Sequence, residues 1–98
     1  MDYVPVVREV AELLAVAYQI ADDLEDEEFD RGAAGGGCLN AVVVLRKSGC
    51  RDPREAARYE ASLALRDAMR QAMYLPQESG KPILRCIEAV HAKLRAVT

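Results

Sequence analysis

From Val4 to Asp26 the chain is patterned for a helix that is apolar on one side and acidic on the other. At about 100° per residue, Val7, Val10, Leu13, Leu14, Ala17, Ile20, Ala21 and Leu24 share one arc. Arg8, Glu12, Ala15, Gln19, Asp22, Asp23 and Asp26 fall within the opposite third of the helix. A helix of this kind buries its broad face in a bundle and turns a narrow row of carboxylates toward a cavity.

The remaining sequence offers it only helical partners. Ninety-eight residues make one small domain. An apolar fraction of 51% with five aromatic residues and no Trp favours closely packed Ala, Val and Leu. The formal charge of −3 is unevenly spread, because residues 1–30 carry ten acids and one base whereas residues 31–98 carry six acids and twelve bases. Attraction between the first helix and the rest is the simpler reading of this polarity, and a basic rim around an anionic substrate is the other. The bases are scattered and no aromatics interleave with them, which argues against nucleic-acid binding.

No secretion signal and no apolar run of about 20 residues is present, so the chain is expected to be soluble and cytoplasmic, with no transmembrane segment. Cys38, Cys50 and Cys86 form no CxxC pair and have only His91 as an imidazole companion. They are expected to be reduced thiols packed as small apolar groups.

The first helix is expected to start near Val4, with Pro5 in its first turn, and to fray among Glu25 to Asp30. Fraying is expected because six acids between Asp22 and Glu28, with Asp30 beyond, crowd the negative end of the helix dipole. Such a conflict favours solvated acids or a neutralising cation. Arg31 to Gly37 reads as a loop, and Cys38 to Lys47, with its apolar run from Leu39 to Leu45, suits a buried strand or a buried helix and is read as a helix, since no partner strand exists for it. Asp52-Pro53-Arg54-Glu55 is a helix start, with Asp52 as cap. That helix is expected to reach about Tyr74, burying Ala57, Ala61, Ala64, Leu65, Ala68, Met69, Ala72 and Met73 and leaving Arg54, Arg58, Arg66 and Arg70 on the wetter side. Gly80-Lys81-Pro82 is expected to restart a last helix with Ile83, Ile87, Val90, Leu94 and Val97 on one face and a partly buried His91 at its edge. The predicted fold is an all-α bundle of about four helices.

Hard carboxylate oxygens one turn apart, as in Asp22 and Asp26, suit Mg²⁺ shared with substrate phosphates. A diphosphate so held becomes a better leaving group, because the metal neutralises charge that grows on its oxygens. No nucleophile–histidine arrangement is evident.

Tyr18-Gln19-Ile20-Ala21-Asp22-Asp23-Leu24-Glu25-Asp26 resembles the second aspartate-rich motif of trans-isoprenyl diphosphate synthases, commonly Phe-Gln-x-x-Asp-Asp-x-x-Asp, with Tyr18 in place of Phe. The resemblance implies the C-terminal part of the isoprenoid synthase fold. It also implies Mg²⁺ as cofactor and isopentenyl and allylic diphosphates as substrates. Asp22, Asp23 and Asp26 would be the catalytic, metal-side residues, with Asp22 and Asp26 as metal ligands. Gln19 would be a polar substrate contact, and Tyr18 would line the cavity.

The departures are equally specific. The family needs a first aspartate-rich motif upstream, yet only 21 residues precede Asp22 and no second DDxxD occurs. The lysine-bearing segment often found downstream is replaced by Glu27-Glu28-Phe29-Asp30-Arg31-Gly32-Ala33. The chain is therefore expected to carry half a catalytic site and to be inactive alone. It would be a fragment lacking an N-terminal region, or a short subunit associating with a partner chain or with itself as a dimer. The alternative from another class is a non-catalytic helical interaction module whose acidic stripe is solvated.

Overall fold

In the computed structural model, residues 2–32 and 40–97 are described, and they form four helices and no strand: α1 (Val4–Gly32), α2 (Ala41–Lys47), α3 (Pro53–Ala72) and α4 (Gln77–Ala96). The molecule is an elongated bundle of 49 × 22 × 20 Å, with α1 as its spine, packed chiefly on α3 and also on α2 and α4. Small residues make that central seam. Ala17 and Ala21 of α1 and Ala61 and Ala68 of α3 are fully buried, among Val10, Leu24, Val42, Ile87 and Leu94. Alanine on both sides lets backbones approach closely at little cost in side-chain entropy.

Local chemistry sets the helix ends. Asn40 caps α2 by accepting from the amides of Val42 and Val43, at 2.9 and 3.2 Å. Gly49, at φ 88°, closes the same helix: its amide donates to Arg46 C=O and that of Cys50 to Leu45 C=O, a pairing that needs the left-handed conformation glycine tolerates. Asp52 caps α3 through the Glu55 amide at 3.2 Å, with Pro53 in the first turn, as the sequence predicts. The Ile83, Ile87, Val90, Leu94 and Val97 face of α4 also packs into the core as predicted.

Several expectations are corrected. α1 does not fray among Glu25 to Asp30 but continues to Gly32, because its acids find partners on the other helices. The backbone of Arg31 and Gly32 is thus helical rather than loop, and the rest of the predicted loop, with Cys38 and Leu39, lies outside the described residues. α3 ends at Ala72, and Met69 and Met73 are exposed, Met73 by 80%, because the facing helix covers the alanine side of α3. α4 begins at Gln77, ahead of Gly80-Lys81-Pro82. Gly80 is buried against the end of α3, near Ala72 C=O and Leu75, and Pro82 is accommodated inside the helix. Val7 lies on the exposed side, Cys86 and His91 are exposed rather than packed, and Cys50 is half-buried.

Candidate functional site: the two flanks of an acidic helix

The acids of α1 divide between an inner flank toward α2 and α3 and an outer flank toward solvent and α4. On the inner flank, Asp23 is buried at 7% exposure and both its oxygens are occupied. Oδ1 accepts from Gln19 Nε2 and Oδ2 from the Ala41 amide, each at 3.0 Å. Asn40 joins the same network, its Nδ2 donating to Asp23 C=O and to Asp30 Oδ2, each at 2.8 Å. One turn on, Glu27 is also buried and is held by Arg46 Nε at 2.7 Å and Arg54 Nη1 at 2.8 Å.

Arg54 is no solvated arginine, contrary to its predicted place on the wetter side. Its Nη1 also donates to Leu24 C=O at 3.1 Å and its Nη2 to Val97 C=O at 3.0 Å, so one guanidinium ties α1, α3 and the end of α4 together. The planar fork of arginine suits this multiple donation. Hydrogen bonds from Arg46, then Arg54, hold the Glu27 carboxyl below its usual range, and Glu27 in turn raises the pKa of Arg46.

The outer flank is arranged differently. Lys93, reaching from α4, donates to Asp22 Oδ1 at 2.9 Å, stands 3.5 Å from Glu25 Oε2, and lies 4.5 Å above the centroid of the Tyr18 ring. The hydrogen bond to Asp22 is the main cause that pushes Lys93 up to about 12. Asp26, one turn beyond Asp22, is exposed and makes no hydrogen bond or ion pair among the described residues. Desolvation first, then the charges of Asp22, Asp30 and Glu25, raise its pKa.

The structure therefore brings Asp22, Asp26 and Tyr18 to one exposed flank with Lys93, and separates Asp23 from them. Gln19 is exposed at the border, its amide turned to Asp23. Gln19 also lines an open, mostly apolar groove of about 770 Å³ between α1 and α2, walled by Val16, Ile20, Val44 and Leu45. Lys93, Asn40, Arg54 and Glu27 were not legible as site residues. Lys93 and Asp22 are 71 positions apart, so neither helix read alone signals the pair.

Among the described residues, no three His, Cys, Asp or Glu side chains converge as a ready metal-ligand set. Asp22 and Asp26 are hard oxygen donors one turn apart on the outer flank, a donor type that suits a divalent ion taking one or two carboxylates from protein; Asp22 is half-buried with Oδ1 on Lys93, and Asp26 is exposed with no side-chain hydrogen bond or ion pair among the described residues. No helix is long and apolar enough to cross a membrane. No family model matches the chain, and no curated protein or solved structure shows significant similarity to it.

Proposed function

We propose that this chain contributes the second carboxylate wall of a Mg²⁺–diphosphate site in a trans-prenyltransferase, one that condenses isopentenyl diphosphate with an allylic diphosphate. The observation that carries the reading is the division within Asp22-Asp23-Leu24-Glu25-Asp26. The middle aspartate is spent on the fold, while the first and last lie together on the outer flank with Tyr18, and Gln19 stands at its border. Asp22 and Asp26 would hold Mg²⁺. Bound there, the ion would supply Lewis-acid stabilisation of charge developing on the diphosphate oxygens.

The chain's own groups do the positioning. Asp23 accepts the Ala41 amide and thereby fixes the entry to α2, which shapes the groove beside Gln19. That groove's apolar walls suit a hydrocarbon chain, and Gln19, between the groove and the outer flank, precedes Asp22 by three residues and Asp26 by seven. Val4, Val7 and Tyr18 remain exposed on α1, surface that a missing region, a partner or a second copy would cover.

The opposing reading, a helical interaction module with no ligand, has its own support: Asp22, Asp23, Glu25, Glu27 and Asp30 all have hydrogen-bonding or ionic partners inside the chain. Calorimetric titration with geranyl diphosphate, with and without Mg²⁺, separates the two. Binding that requires Mg²⁺ and weakens at least about tenfold in an Asp26→Asn variant of matched helicity supports the site. Equal indifference of wild type and variant to both ligands supports the module.

A further inference from the structure

We propose that Lys93 is the resting counter-ion of the outer carboxylates and couples metal loading to diphosphate loading: its ammonium leaves Asp22 only when a diphosphate offers replacement oxygens. The inference rests on the site reading above and concerns the regulation of that site.

The geometry makes the competition concrete. Lys93 is the one cation that any described ion pair brings to Asp22 and Glu25, and it occupies Asp22 Oδ1, an oxygen a divalent ion would use. Asp22 and Glu25 therefore share one positive charge, and Asp26 beside them has no ion pair among the described residues. The Tyr18 ring lies under the ammonium, so Lys93 is held over the pair rather than free in solvent. A divalent ion arriving alone must take Asp22 from Lys93 and leaves that ammonium with only its longer contact to Glu25, which costs the ion affinity. With diphosphate present, Lys93 exchanges a carboxylate oxygen for a phosphate oxygen, an acceptor of similar strength. Metal and diphosphate then favour each other by linkage, through a lysine that changes partner.

The test measures Mg²⁺ and inorganic diphosphate binding to the 98-residue chain, each alone and each at saturation of the other. It compares wild type with Lys93→Met, Lys93→Arg and Arg85→Met, all checked for equal helicity. Arg85 is an exposed arginine elsewhere on α4, so its variant carries the same charge change away from the site. Lys93→Met is expected to bind Mg²⁺ alone about fivefold or more tighter than wild type, and to lose the mutual enhancement between the two ligands. Lys93→Arg should retain the enhancement, and so should Arg85→Met. An Asp22→Asn variant approaches from the other side: with Lys93 left to its longer contact with Glu25, it should bind diphosphate tighter than wild type when no metal is present.

Enhancement in Lys93→Met equal to wild type overturns the role of Lys93 while leaving the site reading intact. The same holds if Arg85→Met loses enhancement equally, because general charge would then suffice. If wild type and every variant fail to bind Mg²⁺ and diphosphate together, the site reading fails and the role of Lys93 with it.

Discussion

The two flanks of α1 use the same residue types to opposite ends. On the inner flank, Asp23, Glu27 and Asp30 meet a backbone amide, a glutamine, an asparagine and two arginines, and both carboxylate oxygens of Asp23 and of Glu27 accept from a donor. On the outer flank, Asp22 and Glu25 share the ammonium of Lys93, and Asp26 beside them makes no side-chain hydrogen bond or ion pair among the described residues. Buried carboxylates without donors would be too costly to keep, so the inner flank must be satisfied by the fold itself. The outer flank is wet enough to remain under-neutralised, which is the condition for recruiting a cation. Acid content alone therefore says little, and donor matching separates an acid that builds from one that binds.

The largest expected break in this comparison is Glu27→Gln. Arg46 and Arg54 then lose their shared counter-charge at a buried position, and unfolding free energy should fall by about 2 kcal/mol in chemical denaturation, moderated because both arginines are partly exposed. The pH dependence has a definite sign. The carboxyl of Glu27 is lowered from 4.5, so its contribution is complete above that value and is lost as pH falls toward the lowered one. Wild type should therefore lose stability more steeply than Glu27→Gln on acidification below about pH 4.5.

Next in size is Asn40→Ala. Asn40 is almost fully buried, caps α2 and cross-links Asp23 C=O to Asp30, so its removal should cost about 1–2 kcal/mol by thermal denaturation. A comparable loss on mutating an outer carboxylate would erase the distinction between the flanks.

Only part of this arrangement could be read from the sequence. The helical class, the Asp52 cap and the Ala- and Ile-based faces of α3 and α4 follow from spacing within single elements, and the structure has them. The persistence of α1 past Glu25 was not legible, because the groups that neutralise its acids come from α2, α3 and α4. Asp23 shows the same limit. On a helical wheel it sits beside Gln19 and Asp22, yet α2 docks against that edge and converts it into a buried acceptor. Arg54 and Met73 exchanged places relative to expectation, since residue type argues for a wet arginine and a dry methionine. The end of α4 instead offers Arg54 a carbonyl, while no described helix covers Met73.

Lys93 gives the next prediction, at the alkaline end. Its folded pKa is raised from 10.5 to about 12, so its stabilising pairing is complete below 10.5 and is lost as pH rises through about 12. Wild type should lose Tm across that interval more than Lys93→Met does. Because Lys93 and Asp22 are both partly exposed, at 25% and 39%, the difference should be smaller than for either inner-flank variant.

The smallest expected effect is also the most discriminating. Asp26 has its pKa raised from 3.8, which means the folded state disfavours its charged form; that cost is present at neutral pH and disappears as the carboxyl protonates on acidification. Asp26→Asn should therefore leave Tm at pH 7 unchanged or slightly higher, and the small advantage should vanish as pH falls through the wild-type carboxyl's folded pKa. A carboxylate whose loss does not harm the fold is one the fold does not require. If Asp26→Asn instead lowers Tm as Glu27→Gln does, the outer flank is structural in the same sense as the inner one, and the acidic stripe has no carboxylate left over for a ligand.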